Sequence, residues 1–487
     1  MTESGVGFGT SGARGLVSAM TDQVCAAYTM AFVQALQERG EITSTTPIGI
    51  AGDRRPSTGR ILSAAAYAIR KLGHPVVHAG RVPSPAIALL GLEQRIPTLM
   101  VTGSHIPDDR NGIKFNKTTG EILKRDEAEI AAQSVDLPDD FDANGMLREG
   151  VSDAVLPPSD PTAQTAYVAR WLRAFPPGIF AGKRIVVYGH SAVGRDLLVE
   201  VLQGLGAEVV RVGWSDRFIP VDTEAIRDED ATLAREWAAQ YRPFAIVSTD
   251  GDADRPLVSD ENGLWLRGDV LGVLTARFLG AHTVVTPVSS NTVVERASAF
   301  AAVARTRIGS PFVIERMLTA VAEGSHAVAG YEANGGFLTA TAMRVPGGDH
   351  LSPLPTRDPI VVMLSVLTAA IQSGRSVSAL AAELPSRVTA SGRLQNFPNA
   401  LSGPRLAALA ESGLVGFDAL LSKVAGHFVN LDMTDGLRGT TAEDEIVHLR
   451  ASGNAPELRC YAESTNQTRA ESLVAQTLAA IQAAWTR

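Results

Sequence analysis

Short apolar segments rich in β-branched residues recur along the chain, and segments with helical periodicity separate them. They fall into three sets of three: residues 48–53, 75–80 and 98–104; residues 184–189, 208–213 and 244–250; and residues 282–288, 303–309 and 326–332. Continuous apolar strands that alternate with helices are typical of parallel sheets covered on both faces. The pattern therefore predicts three similar α/β units in succession.

The pattern changes near residue 376. A strand pair at residues 444–453 and 457–464, followed by an amphipathic helix at residues 467–485, predicts a final α+β unit. A Pro-rich segment at residues 138–161 is typical of a linker, and a second boundary is expected near Ser259. The predicted domains are therefore residues 1–150, 151–258, 259–375 and 376–487.

Each third strand runs directly into a polar loop that contains glycine. The three loops read TGSHIPDD, TDGDADRP and GYEANGG. Ligands of open α/β sheets bind beyond the carboxyl ends of the strands, so these loops are the expected place for chemistry. Ordinary βα turns also favour Gly, Asp, Asn and Pro. Three such loops at equivalent points of three repeats favour a functional site.

The second of these loops predicts a metal site. Asp250, Asp252 and Asp254 stand at alternate positions, and carboxylates without softer ligands select a hard cation, Mg²⁺ first. The spacing also resembles the start of an EF-hand, with Glu261 at the twelfth position. That interpretation fails because Arg255 occupies the sixth position, where the turn needs glycine, and because a strand precedes the loop.

The first loop places Ser104 at a strand end, and Lys114 follows a short loop later. A serine is a weak nucleophile alone, but a cation across a cleft makes it a plausible phosphoryl carrier. Taken by itself, Ser104 is more often a turn residue or a helix cap. We interpret His105 as a structural hydrogen-bonding residue that is turned away from Ser104.

The predicted C-terminal hairpin carries the segment RASGNAPELR, with Arg450, Ser452, Asn454 and Arg459. Arginine forks bind phosphate bidentately, and the backbone N–H groups of a Gly-Asn turn can form an anion nest. A phosphate-binding loop is one interpretation of this segment. A β-hairpin with solvated arginines is the other, and the motif alone does not decide between them.

Composition and charge narrow the classes of partner. The net charge is -8, which disfavours nucleic acid. Cys25 and Cys460 cannot build a disulfide framework and are interpreted as inert thiols in a reducing compartment. The N-terminus lacks a secretory signal, and the longest apolar stretch, at residues 360–371, is shorter than the ~20 residues of a membrane helix. We therefore expect a cytoplasmic protein with neither nucleic acid nor membrane as partner.

Five segments together resemble the motifs of one known superfamily. They are FGTSGARG, TGSHIPDDRNGIK, DGDADR, GYEANGG and RASGNAPELR, in this order along the chain. The chain resembles the α-D-phosphohexomutase superfamily over nearly its whole length, and it looks most like the bacterial phosphomannomutases and phosphoglucomutases. The resemblance implies an α/β fold of three similar α/β domains with mixed sheets around a central cleft, plus a C-terminal α+β domain.

The resemblance also implies a role for particular residues. Ser104 would carry the phosphate and join the three aspartates on Mg²⁺, with Arg14 and Lys114 flanking the transferring oxygen. The residues implied to bind substrate are Arg255 near the phosphoryl group, Glu332 and Asn334 at sugar hydroxyls, and Arg450, Ser452, Asn454 and Arg459 at the distal phosphate. Two positions depart from the family pattern. Ile106 replaces a usual Asn, and Gly336 replaces a frequent His, which removes a candidate acid/base group.

The implied reaction interconverts a hexose 1-phosphate and a hexose 6-phosphate, with mannose first and glucose second. A phosphoserine and a hexose 1,6-bisphosphate, which also acts as activator, would carry the phosphoryl group. The implied partners are small sugar phosphates, and a monomer or homodimer is expected. Three alternatives stay open: a phosphoglucosamine mutase, a sugar phosphatase that uses the same serine, and a sugar-phosphate binding protein without turnover.

Overall fold

The computed structural model describes residues 1, 3–9, 11–452 and 456–485 of the chain. The first unit contains β1 (Gly7–Phe8), β2 (Ala13–Leu16), β3 (Ile48–Gly52), β4 (Val76–Gly80), β5 (Thr98–Val101), β6 (Arg110–Lys117) and β7 (Gly120–Glu121), with α1 (Asp22–Glu38), α2 (Thr58–Lys71), α3 (Ser84–Gln94) and α4 (Lys124–Ala132). Its sheet has the order β1-β2-β6-β5-β3-β4, and β7 pairs with β6. β3 is parallel to β4 and β5, whereas β6 is antiparallel to β5.

The second unit repeats the parallel part of this sheet. It contains β8 (Arg184–Tyr188), β9 (Glu208–Val212), β10 (Ala245–Thr249) and β11 (Pro256–Val258), with α5 (Thr162–Ala174), α6 (Arg195–Gly204) and α7 (Asp228–Tyr241). The strand order is β11-β10-β8-β9. β8 is parallel to β9 and β10, and β11 is antiparallel to β10.

The third unit has the same arrangement with additional antiparallel strands. It contains β12 (Thr283–Pro287), β13 (Ala302–Thr306), β14 (Val328–Tyr331), β15 (Phe337–Thr339), β16 (Met343–Arg344), β17 (His350–Leu351) and β18 (Leu354–Asp358), with α8 (Gly268–Phe278), α9 (Val293–Arg296), α10 (Ser310–Ala322) and α11 (Pro359–Gln372). The main sheet has the order β13-β12-β14-β15-β18, and β16 pairs with β17.

The C-terminal unit is an antiparallel sheet flanked by helices. It contains α12 (Val377–Ala381), β19 (Val388–Leu394), α13 (Asn399–Ala425), β20 (Phe428–Asp432), β21 (Leu437–Thr441), β22 (Ile446–Ala451), β23 (Leu458–Ser464) and α14 (Gln467–Trp485). The strand order is β19-β23-β22-β21-β20. The predicted strand pair and the final helix are present, and the mixed α/β fold with a C-terminal α+β unit is confirmed.

The three α/β units place equivalent strands in equivalent positions. In each, the first parallel strand lies between the second and the third, and an antiparallel strand follows, as β4-β3-β5-β6, β9-β8-β10-β11 and β13-β12-β14-β15. β5, β10 and β14 are therefore counterparts. Their carboxyl ends lead into the three loops that the sequence singled out, because the chain reverses there before the antiparallel strand begins.

The hydrophobic clusters do not follow the boundaries of the sheets. One large cluster joins the α/β units, with Val82 from the first, Trp171 from the second and Leu364 from the third. The C-terminal unit has a core of its own, running from Ala390 to Trp485. Where one domain ends and the next begins stays a prediction.

Both cysteines and the longest apolar stretch lie in the interior. Cys25 and Cys460 are free thiols in the interior. The apolar stretch near residues 360–371 forms α11, which is buried along most of its length. Among the described helices, none has both the length and the apolar character to span a bilayer.

Candidate active site

Ser104 lies in a tight turn immediately after β5. Its φ of 56° is in the left-handed region, which a serine rarely adopts. The turn is held by its neighbours, since Thr102 Oγ1 accepts the Ser104 N–H at 2.8 Å and donates to Asp53 Oδ2 at 2.7 Å. The side chain of Ser104 is fully buried. The fold therefore presents one serine hydroxyl in a fixed direction.

Arg55 organises the rest of this loop, and the sequence analysis missed it. Its guanidinium donates to the backbone carbonyls of Ser104 at 2.8 Å, Ile106 at 2.5 Å and Pro107 at 2.7 Å. Asp53 anchors the same guanidinium through a 3.1 Å ion pair. Because Ile106 contributes its backbone oxygen to this contact, the departure from Asn at position 106 leaves it intact.

The acidic loop between β10 and β11 meets Ser104 directly. Ser104 Oγ donates to Asp250 Oδ2 at 2.7 Å. The approach is close because Gly251 has no side chain, and a Cβ at that position would lie 2.7 Å from the Ser104 carbonyl oxygen. Asp250, Asp252 and Asp254 are all buried, and one ligand atom of each lies within 4.8 Å of the others. The predicted nucleophile and the predicted metal ligands thus share one place.

The atoms of the cluster fit a cation. Lys114 Nζ lies 2.5 Å from Asp252 Oδ2 and 2.6 Å from Asp254 Oδ2. The other oxygen of each carboxylate, Oδ1, is buried and accepts no hydrogen bond from the described residues. Burial, with repulsion from Asp252 and Asp254, raises the pKa of Asp250 well above its usual value. Each feature is what an acidic metal site shows without its ion, so the cluster can hold a metal.

Lys114 and Arg14 reach the site from neighbouring strands. Lys114, which was expected a short loop after Ser104, lies inside β6. Arg14 pairs across β2 and β6 with Gly112, two residues before Lys114, so both cations project from the same face of the sheet. Burial and then repulsion from Arg255 lower the pKa of Arg14 to about 10, which leaves it charged at neutral pH.

His105 does not point away from Ser104, and that expectation is wrong. Its Nδ1 lies 3.4 Å from Ser104 Oγ and 2.9 Å from Arg255 Nη1. The backbone turn brings both side chains of the Ser-His pair toward the acidic loop. Burial, followed by repulsion from Arg255, lowers the pKa of His105 to about 3. The imidazole is therefore neutral at physiological pH.

The third loop brings Glu332 and Asn334 to the same cleft. Asn334 Oδ1 accepts the N–H of Gly336 at 2.9 Å, and Thr223 donates to the Asn334 carbonyl at 2.8 Å. The Glu332 carboxylate contacts Arg357 Nη1 at 3.2 Å, and Nη2 of the same arginine lies 2.8 Å from Asp254 Oδ2. The sequence analysis missed Arg357. Its only signal was one arginine beside Asp358 in the short segment LPTRD.

The C-terminal unit completes the cleft. Arg450 and Arg459 are paired directly across β22 and β23, so their side chains share one face. Both line a cavity of about 40 Å³ with Glu332 and Asn334. A wider cavity of about 460 Å³, lined by Asp222 and Arg459 among others, adjoins it.

Ser452 and Asn454 are the other two residues predicted for this phosphate-binding loop. The Ser452 N–H donates to the Glu457 carbonyl at 2.9 Å, which closes the hairpin below the loop. Asn454 lies outside the described residues. A Gly-Asn anion nest therefore stays a prediction.

The chain matches two family models, both of the phosphoglucomutase/phosphomannomutase kind. The α/β/α domain I model matches residues 5–137, and the α/β/α domain III model matches residues 267–388. The chain is 40% identical to a phosphomannomutase from Salmonella muenchen, over 99% of this chain and 96% of that protein. It is 41% identical to a phosphomannomutase from Sinorhizobium fredii, over 97% of this chain and 98% of that protein.

The chain belongs to the phosphoglucomutase/phosphomannomutase family. It is a phosphohexomutase, an isomerase that moves a phosphoryl group within a sugar phosphate. This outcome confirms the family and the reaction class expected from the sequence.

Solved structures of the family share this fold. A phosphoglucomutase/phosphomannomutase family protein from Burkholderia thailandensis superposes with a TM-score of 0.71 at 20% identity, covering 98% of this chain and 97% of that one. An N-acetylphosphoglucosamine mutase from Aspergillus fumigatus, in complex with GlcNAc-6P and magnesium, has a TM-score of 0.57 at 15% identity, covering 98% of this chain and 96% of that one. The roles of individual residues in the present phosphohexomutase remain predictions.

Proposed function

We propose that this phosphohexomutase interconverts mannose 1-phosphate and mannose 6-phosphate, with glucose phosphates as its second substrates, and that Ser104 carries the phosphoryl group. The observation that carries the proposal is the 2.7 Å hydrogen bond from Ser104 Oγ to Asp250, inside a buried acidic cluster. The identity of 40% or more to two phosphomannomutases over nearly the full chain supports mannose as the first substrate.

In the proposed reaction the P–Oγ bond of phospho-Ser104 breaks as a P–O bond forms to the free hydroxyl of a hexose phosphate. One phosphoryl group passes to the sugar, and one proton passes from the sugar hydroxyl to Oγ. The transition state is loose and in line, so the protein contributes mainly positioning and charge. Lys114 and Arg14 project from the same face of the sheet beside the acidic cluster, where they neutralise charge on the transferring oxygens.

We assign Mg²⁺ to the cluster of Asp250, Asp252 and Asp254, with the Ser104 oxygen as a further ligand. Only carboxylate and hydroxyl oxygens are offered, and these are hard ligands. When bound, Mg²⁺ supplies a Lewis acid that withdraws charge from the phosphoryl group. Arg255, whose Nε lies 3.6 Å from Asp254 Oδ1, holds a fixed positive charge beside the same position.

The product of the first transfer is a hexose 1,6-bisphosphate, which returns its other phosphate to Ser104 after turning round. The same bisphosphate, supplied from solution, would rephosphorylate an enzyme that has lost its phosphate. The bisphosphate must therefore bind in two orientations, and the 1-phosphate and the 6-phosphate bind opposite ways round. Arg450 and Arg459, which line one cavity with Glu332 and Asn334, would hold whichever phosphate is not reacting, while Glu332 and Asn334 bind sugar hydroxyls. Ser452 and Asn454 are proposed to bind the same phosphate.

The substrate is tested by coupled assays on mannose 1-phosphate, glucose 1-phosphate and glucosamine 1-phosphate, each with the matching 1,6-bisphosphate. We expect kcat/KM to be highest for mannose 1-phosphate and next highest for glucose 1-phosphate. A maximum for glucosamine 1-phosphate would instead select a phosphoglucosamine mutase. Release of inorganic phosphate without an isomeric product would select a phosphatase, and binding without either product would select a sugar-phosphate binding protein.

The arginine pair on β22 and β23 gives a second test. Charge-assisted hydrogen bonds are worth about 1.5–3 kcal/mol each, so Arg450→Ala and Arg459→Ala are each expected to lower kcat/KM by roughly 10- to 100-fold. Because both orientations use the pair, the loss should be similar for the 1-phosphate and the 6-phosphate. Steady-state kinetics in both directions measure it.

The matched control is Arg405→Ala, which removes an exposed arginine from α13 in the same unit. It should leave kcat/KM within about twofold of the unmodified enzyme, since a surface charge away from special features contributes little. Thermal melting establishes that each variant is folded. Unchanged kcat/KM for both hairpin variants would mean that the two arginines are a solvated surface.

A further inference from the structure

Arg357 is a buried arginine that joins two of the loops that form the cleft. It lies in β18, and its side chain is only 2% exposed. Nη1 contacts Glu332 Oε2 at 3.2 Å, and Nη2 contacts Asp254 Oδ2 at 2.8 Å. One guanidinium thus connects a residue proposed to bind sugar with a residue proposed to bind metal.

The chain makes room for this arginine at Gly336. A Cβ at position 336 would lie 2.5 Å from Arg357 Cδ and 2.7 Å from Cγ, which is closer than real Cβ contacts come. The backbone at Gly336 does not have the positive φ that favours glycine. Glycine at this position is therefore explained by the space that Arg357 occupies.

A buried guanidinium of this kind is costly unless it is paired. Arginine stays protonated in proteins, and a buried charge needs partners of opposite sign with good geometry. Glu332 and Asp254 are themselves buried. Asp254 also has Lys114 at 2.6 Å, whereas the ion pair of Glu332 is with Arg357. Removing the cation would leave the Glu332 carboxylate without the contact that holds it in its present orientation.

We propose that Arg357 is a positioning residue of this phosphohexomutase. It orients the Glu332 carboxylate for the sugar and connects the loop of residues 330–336, named here the sugar-binding loop, to Asp254. The inference rests on the proposed function of Glu332. It predicts that Arg357 determines the affinity for the sugar part of the substrate, and that Gly336 is required because it accommodates Arg357. The phosphate part, held by Arg450 and Arg459, should be independent of it.

The first experiment uses Arg357→Met, which keeps much of the length of the side chain and removes its charge. Isothermal titration of the dephosphorylated full-length enzyme should show binding of mannose 6-phosphate weakened by about 10- to 100-fold, the range for losing a charge-assisted contact. Binding of inorganic phosphate should change less than about twofold, because Arg357 belongs to neither group of cations proposed to hold a phosphate, the arginine pair or Arg14, Lys114 and Arg255. Arg357→Lys, which keeps the charge but cannot contact both carboxylates as a fork, should restore part of the loss.

The second experiment asks whether Glu332 and Arg357 act together. Glu332→Gln alone should weaken mannose 6-phosphate binding, and the double variant Glu332→Gln/Arg357→Met should be little weaker than the worse single variant. Full multiplication of the two losses would mean independent roles and would overturn the proposal. In kinetics, Arg357→Met should raise KM more than it lowers kcat, whereas general loosening of the fold would not separate the two constants.

A third experiment keeps Arg357 and displaces its side chain by adding a Cβ at position 336. Gly336→Ala should raise KM for mannose 1-phosphate several-fold in the unmodified enzyme and have little further effect in an Arg357→Ala variant, because Arg357→Ala removes the Cγ and Cδ atoms that the added Cβ would meet. The control is Gly59→Ala on α2, where a Cβ meets nothing within 4 Å and KM should not change. This variant remains informative if Arg357→Met does not fold.

Two further results would overturn the proposal, and a third would refute only the proposed function. Folded Arg357→Met and Gly336→Ala variants with normal mannose 6-phosphate binding would show that Arg357 positions nothing. Equal losses for mannose 6-phosphate and inorganic phosphate would show that the whole cleft, and not the sugar-binding loop, had changed. An unmodified enzyme that binds mannose 6-phosphate but forms no phosphoserine and no isomer would refute the proposed function, while the binding comparison would still test Arg357.

Discussion

Replacing Ser104 by alanine is expected to remove one labile phosphate from the protein and to lower mutase activity by at least about three orders of magnitude. The physical reason is position. Ser104 Oγ is buried, fixed by a strained turn and 2.7 Å from Asp250. Intact-mass analysis before and after incubation with mannose 1,6-bisphosphate measures the phosphate, and coupled assays measure the activity.

A second serine, Ser84, also contacts the acidic cluster, so the test can show which of the two serines is phosphorylated. Ser84 Oγ donates to Asp252 Oδ2 at 2.5 Å, so Ser84→Ala should perturb the cluster yet still become phosphorylated. Ser365→Ala is the matched control, because this buried hydroxyl in α11 makes no hydrogen bond to described residues and should affect neither readout. A Ser104→Ala enzyme that keeps both the phosphate and full activity would show that another residue carries the phosphoryl group.

The repeated units could be predicted because their parallel strands are buried on both faces. Strands such as β3 and β12 are entirely buried, and such strands appear in the sequence as unbroken apolar runs. The antiparallel strands were missed for the opposite reason. β6 contains Arg110, Asn111 and Lys114, and β11 has only three residues, so neither has a clear period.

The site was predictable where its residues are clustered in sequence. The aspartates lie within one loop, and their shared chemistry is visible without any fold. Arg55, Ser84 and Arg357 were missed because each acts on a loop that is distant in sequence. Arg357, for example, meets Asp254 only because β18 joins the third sheet beside β15 and the two units pack together. A single arginine in a strand carries no signal of such a contact.

Removing the divalent cation is expected to abolish mutase activity, and adding Mg²⁺ should restore it. Asp252→Asn should lower both the activity and the Mg²⁺ affinity by about 10-fold or more, since a neutral amide is a weaker ligand than a carboxylate. A readout separate from activity is thermal stability. A ligand that binds only the folded state stabilises it by about 2.7 kcal/mol at a free concentration of 100 times its Kd, so Tm should rise with Mg²⁺.

The Tm rise should be lost in Asp252→Asn and retained in the control Asp228→Asn, which changes an exposed aspartate at the start of α7. This comparison separates a metal site from a structural acidic loop. Without a cation the three buried carboxylates repel one another, and burial, followed by this repulsion, raises the pKa of Asp250. A bound divalent cation removes the repulsion, which is why it should stabilise the fold as well as the reaction. Activity that survives complete chelation, together with a Tm that does not respond to Mg²⁺, would mean that Lys114, Arg255 and Arg357 balance the aspartates and that the loop serves to hold the cleft together.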